Sequence, residues 1–103
     1  MNNNLAIETF KEFIFTLELL LSNCNLFDVT IYHTDNGMVI SQLFEHINND
    51  NLVIENDHIK IKHNDFKVKI YDNGWQYDYS ESDTFLMLHM KNQGTDIEIT
   101  FSR

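Results

Sequence analysis

The chain has 103 residues and a formal net charge of −9, from 16 acidic against 7 basic side chains. That length accommodates one domain and one core, and the acidic balance argues against general affinity for nucleic-acid or anionic-membrane phosphates, which comes mostly from lysine and arginine. With 43% apolar, 13% aromatic and 22% charged residues, the chain is too hydrophobic to be disordered.

The single cysteine, Cys24, leaves no internal disulfide to form and fits a reducing compartment. The start Met1-Asn2-Asn3-Asn4 carries no basic residue ahead of an apolar run, unlike a secretory signal. The longest apolar stretch, Leu17 to Leu21, is broken by Glu18 and falls far short of the ~20 residues that span a bilayer. A soluble, cytoplasmic protein is the expectation.

The first element reads as a helix over residues 5–22. Ala6, Phe10, Phe13, Ile14, Leu17, Leu20 and Leu21 recur at intervals of three and four. Asn3 or Asn4 is the expected cap, Glu8 and Glu12 suit the positive end, and Asn23 to Asn25 stop the helix. Most of the remaining sequence alternates at period two. Phe27, Val29 and Ile31 face one way, and Asp35-Asn36-Gly37 is a strong hairpin signal because the turn requires positive φ. Ser41 to Ile47 fits either the returning strand or a short helix. Strands follow at Leu52–Glu55, His58–Lys62 and Phe66–Tyr71. Asp72-Asn73-Gly74 turns the chain again, and Trp75, Tyr77 and Tyr79 share a face. Phe85 to Met90 is almost continuously apolar, as a central strand would be. Asn92-Gln93-Gly94-Thr95 then turns the chain into Ile97, Ile99 and Phe101.

These elements predict an α+β fold, residues 1–103 forming a single compact domain. An N-terminal helix would pack on a curled antiparallel meander of about six or seven strands, since short turns make sequential strands neighbours. One helix cannot cover so wide a sheet. Either the sheet curls on itself, or part of its face is left for a partner.

Four of the six lysines, Lys60, Lys62, Lys67 and Lys69, alternate with Ile59, Ile61, Phe66, Val68 and Ile70 across the turn His63-Asn64-Asp65. Period-two alternation sends all four ammonium groups to one face, where like charges opposite one another cost stability. Carboxylates on neighbouring strands or a negatively charged partner would offset that cost. The ribbon reads as a solvated face that blocks edge aggregation or as a docking patch. Asp72, Asp78, Glu81 and Asp83 surround Trp75, Tyr77 and Tyr79. There the alternatives are acids facing water over core rings, or a partner surface in which carboxylates imitate a phosphate backbone. On the helix, at ~100° per residue, Phe15 and Leu19 fall in the middle of the polar side among Glu8, Lys11, Glu12, Glu18 and Ser22. Two large apolar groups ringed by charge have the pattern of an interface hot spot, unless a loop or the C-terminal strand covers them.

The histidines His33, His46, His58, His63 and His89 lack the i,i+4 pairing of a zinc enzyme. The nearest approach to a metal site would bring His58 and His63 together across their hairpin with Asp57 or Asp65. Gly37, Gly74 and Gly94 sit in turns and form no phosphate-binding loop. No catalytic residue, cofactor or metal is therefore expected. In size, acidity and aromatic content the chain resembles the small acidic proteins that phages direct against host nucleases, anti-CRISPR proteins among them, and bacterial immunity proteins. That resemblance implies a non-enzymatic inhibitor that occludes the basic nucleic-acid-binding surface of a protein partner. Its candidate contacts are Phe15, Leu19, Lys60, Lys62, Lys67, Lys69, Asp78, Glu81 and Asp83. No direct nucleic-acid or membrane binding is expected. The alternative is a homo-oligomeric structural or accessory module, in which Phe15, Leu19 and an uncovered sheet face meet their own copies.

Overall fold

The structure, a computed structural model, describes residues 3–102. The helix does not start at residue 5. Asn3–Ile7 is instead a strand, β1, and the helix α1 runs from Phe10 to Asn23. Its cap is Thr9, whose Oγ1 accepts the Glu12 N–H and donates to Glu12 Oε1, both at 3.1 Å. Thr9-x-x-Glu12 has the spacing of a capping box, which satisfies free backbone donors in the first turn. Of the residues read at the helical period only Ala6 lies ahead of this cap, whereas Leu5 and Ile7 recur at period two, and the edge of Gln76–Glu81 supplies β1 with a pairing partner.

Among the described residues nine strands form two separate sheets, which corrects the expectation of one curled meander. The larger contains β1, β2 (Leu26–Asp35), β3 (Met38–Asn48), β7 (Gln76–Glu81), β8 (Phe85–Asn92) and β9 (Thr95–Ser102). Its order is β1-β7-β8-β9-β2-β3, so β1 and β3 are its edges and it does not close. Sequence neighbours are not always spatial neighbours: β1 pairs with β7 and β2 with β9. Between β3 and β7 the chain leaves this sheet. It makes a 3₁₀ turn at Asn49–Asn51 and then a three-stranded antiparallel sheet of β4 (Leu52–Ile54), β5 (His58–His63) and β6 (Phe66–Tyr71). Ser41–Ile47 is strand, not helix, and the apolar Phe85–Met90 run lies in the interior strand β8, as its composition predicts.

One face of the six-stranded sheet carries the core. Phe27, Val29, Leu88, Met90, Ile97, Ile99 and Phe101 are buried there, and each points to the same side by the cross-strand register. Helix α1 covers the β1–β7 part of this face with Phe10, Phe13, Leu17 and Leu20, and the Phe13 ring stacks on Tyr77 at 4.8 Å between centroids. The three-stranded sheet covers the other part. Leu52, Ile59, Ile61 and Ile70 enter the same core, and Phe66 stacks on Phe44 of β3 at 3.8 Å. The covering problem posed by a single helix is thus resolved by a second sheet rather than by curling. The opposite face of the large sheet has neither helix nor sheet over it among the described residues.

The β2–β3 hairpin extends past this core. Asn36 and Gly37 form its two-residue turn at φ 51° and 78°, and Asp35 pairs with Met38 across it. At the base, a bulge sets Glu45 and His46 against the single residue Asp28. His46 takes φ 58°, and its N–H donates to Asp28 Oδ1 at 2.9 Å. Only from Phe44 downward does β3 meet the core.

Candidate functional site

The helix presents the most developed surface. Phe10, Phe13, Leu17 and Leu20 fix its inward stripe, so the 3.6-residue period places Phe15 and Leu19 on the outward side. No loop or C-terminal strand among the described residues covers them. Phe15 is 65% exposed and Leu19 50%. They lie on a cleft of about 780 Å³ whose other apolar walls include Ile7, Ile14, Leu20 and Tyr79. The cleft's polar side chains are Lys11, Glu12, Thr16 and Glu18. Phe15 has Glu12 at i−3, Glu18 at i+3 and Leu19 at i+4. An apolar centre with a polar rim, two carboxylates against one ammonium, is the anatomy of a protein-binding surface, where rigid rings give buried area and the rim sets partner charge.

The acidic set Asp78, Glu81 and Asp83 is not one patch. Asp78 and Glu81 are three residues apart on β7, and period-two alternation sends them to opposite faces. Asp78 shares the open outer face with His89 of β8 and Glu98 of β9, which lie side by side in register. His89 Nδ1 is 3.5 Å from Asp78 Oδ2 and its Nε2 3.7 Å from Asp96 Oδ1. On the same face Tyr32 of β2 sits by Glu98, whose negative charge raises the phenol's pKa, with burial and a hydrogen bond to Glu98 adding to it. Glu81 belongs with the helix side, since it accepts the Tyr79 hydroxyl at 3.1 Å and Tyr79 walls the cleft. Asp83 is in the turn between β7 and β8. Tyr77 and Tyr79 point inward, Tyr77 buried and Tyr79 partly so, and Trp75 packs partly buried against the core.

The lysine ribbon folds as its alternation predicts. Lys60 is directly opposite Lys69, and Lys62 opposite Lys67, on the face turned away from Ile59, Ile61 and Ile70. Val53 of β4 lies beside Lys60. None of the four lysines forms an ion pair among the described residues. The carboxylate that shares their surface is Asp50, which lines one shallow depression with Lys60, Lys62 and Lys67.

Helix and three-stranded sheet cover the same face of the large sheet, so Phe15, Leu19 and the lysines all look away from it. Asp78 looks out from the other side. His58 and His63 do not meet. They occupy opposite ends of β5, opposite Tyr71 and Phe66 respectively, and His58 Nδ1 contacts Asp57 Oδ1 at 2.8 Å. That contact holds the Asp57 carboxyl below its usual pKa. Among the described residues no three His, Cys, Asp or Glu side chains are grouped to hold a metal, and no helix is long and apolar enough to cross a membrane.

Sequence periodicity did not single out the outer half of β3. Met38, Val39, Ile40 and Leu43 are 67%, 64%, 52% and 57% exposed. The readable signal was apolar residues at both parities of one strand with no charge from Met38 to Phe44. Such a strand either lies inside a sheet or leaves an apolar surface outside it.

Compared with known protein families, characterised proteins and solved structures, the chain matches none.

Proposed function

We propose that this chain is a protein-binding inhibitor, acting in the cytoplasm, that docks through the outward face of α1 and covers a basic surface of its partner. The observation that carries this is the Phe15–Leu19 cleft, whose rim holds Glu12 and Glu18 against the single cation Lys11. Apolar side chains left out of a core that accepts Phe13 and Leu17 completely supply the desolvated centre of a contact. Glu12 and Glu18, in a chain of net charge −9, steer it toward a cationic partner. A basic nucleic-acid-processing enzyme has such a surface, since phosphate binding requires one. Occluding it needs no catalytic group on this chain.

The test pairs capture with competition. The wild type and a Phe15→Ser/Leu19→Ser variant are each used to capture protein from native-cell lysate. Nucleic-acid binding by the captured protein is then measured with and without added chain. The reading requires a partner retained by the wild type, lost with the variant, and unable to hold nucleic acid while the chain is bound. A partner retained equally by both removes the helix face from the contact. One that binds nucleic acid undisturbed removes the occlusion.

A further inference from the structure

The β3 edge is long, apolar and without the devices that keep sheet edges apart. It spans Met38–Asn48 and borders the six-stranded sheet with no strand beyond it among the described residues. Proline, lysine and inward charge are the usual protections of such an edge, and Met38 to Phe44 contains none of them. The bulge at Glu45–His46 interrupts the ladder only after this stretch.

Register decides which backbone groups are free. In a two-residue hairpin the pair flanking the turn exchanges both backbone hydrogen bonds. Met38, Ile40 and Gln42 therefore bond inward to Asp35, His33 and Ile31 of β2. The Thr34 N–H, which has no role in that hairpin, donates instead to Gly94 O at 2.9 Å, as this phase requires. Val39, Ser41 and Leu43 then direct their N–H and C=O groups to the open edge.

We infer that β3 pairs antiparallel with β3 of a second copy of this chain, about a twofold axis at Ser41. That register sets Ser41 against its own copy and Val39 against the partner's Leu43. All three open positions are satisfied, through about six backbone hydrogen bonds. On one face Val39 meets the partner's Leu43. On the other, Ile40 meets the partner's Gln42 and Met38 meets the partner's Phe44. No charged side chain is opposite another. In a molecule of charge −9 a like copy is repelled over most of the surface. This uncharged stretch is where two copies come together at least electrostatic cost. Its self-complementary register favours a copy of the same strand, and closed twofold pairing ends the assembly at a dimer. Two six-stranded sheets become one continuous sheet, and both α1 faces stay open.

Sedimentation velocity from about 1 μM to about 1 mM, the range in which small interfaces dissociate, tests this together with cysteine cross-linking in a Cys24→Ser background. The wild type shifts with concentration from the monomer mass toward twice that mass. Ser41→Pro retains the hairpin's own bonds, because the Ser41 N–H faces outward, and weakens the dimer at least tenfold. Leu43→Lys does the same without touching the backbone, so the result does not depend on how Ser41→Pro folds. Phe15→Ser/Leu19→Ser dimerises as the wild type does, which separates this contact from the proposed partner surface. Under mild oxidation Ser41→Cys forms a disulfide-linked dimer and Val39→Cys does not, since the two copies of residue 39 are about four residues apart along the ladder. A monomer at every concentration overturns the inference. So does a dimer indifferent to Leu43→Lys, one lost with Phe15→Ser/Leu19→Ser, or one cross-linked through residue 39.

Discussion

Leu17 and Leu19 are two positions apart on one helix and differ completely in environment. Leu17 is fully buried and Leu19 half exposed. Leu17→Ala is expected to cost about 2–5 kcal/mol, from lost transfer energy and the cavity left behind, and Phe10→Ala to fall in the same class. Phe15→Ala and Leu19→Ala are expected to stay within about 0.5 kcal/mol of the wild type. Urea titration of the four variants distinguishes the two faces, and a large loss at Leu19 would place it in the core. Tyr77 gives a residue-scale expectation in pH. Burial, then the Asp72 charge and a hydrogen bond to Asp72, push its pKa from 10 up to about 12. Below about pH 10 the phenol is protonated in folded and unfolded chains alike, and its contribution is complete. Above that the unfolded chain ionises first, so stability falls as pH rises toward 12. Denaturation midpoints at a series of alkaline pH values should show the wild type losing stability relative to Tyr77→Phe, which retains the ring stacked on Phe13. Parallel profiles would mean the hydroxyl is solvated.

At the scale of elements, the lysine ribbon and the β2–β3 hairpin show how a strand's surroundings fix its meaning. Lys60–Lys69 and Lys62–Lys67 are directly opposed pairs without ion-pair partners among the described residues. Changing all four to glutamine should leave the fold intact and raise its melting temperature slightly at low salt, because like charges directly opposite are destabilising. Thermal melts at low and high salt check this. The gain should shrink as salt screens the repulsion, and a markedly unfolded variant would reveal pairing within the protein. In the hairpin, Gly37 sits at φ 78° with open space where a Cβ would stand. Gly37→Ala therefore meets no clash. It still carries the backbone cost of a positive φ, on the order of 1 kcal/mol, readable by urea titration.

For the whole molecule, the two sides of the large sheet present different groups. Glu12 and Glu18 flank Phe15 on one side, whereas Asp78 emerges on the other. With the captured partner immobilised, Glu12→Gln/Glu18→Gln should slow association, and more salt should slow the wild type in the same way. Asp78→Asn should change association little. Surface plasmon resonance at two salt concentrations checks both. A stronger effect of Asp78 would move the contact to the open sheet face.

Local chemistry determined much of this protein in the sequence itself. Asn36-Gly37 marked a hairpin turn because few other residues tolerate positive φ. Asp72-Asn73-Gly74, read as a second such turn, is instead a bend that carries the chain from β6 of one sheet to β7 of the other, with positive φ at Gly74 and not at Asn73. Alternation at Ile59–Lys62 and Phe66–Ile70 fixed which side of a strand is apolar, and helical spacing separated Phe15 and Leu19 from Phe13 and Leu17. Thr9-x-x-Glu12 also held the true helix start, although Ala6 fitted the helical period and concealed it. Tertiary structure alone decided which strands are neighbours. Periodicity states that a strand has an apolar face, not what covers it, and pairing β1 with β7 or β2 with β9 depends on contacts far apart in the chain. The same limit kept β4–β6 from showing as a second sheet. It also hid the exposed edge of β3, because an uncharged apolar strand reads alike whether a neighbour lies beside it or water does.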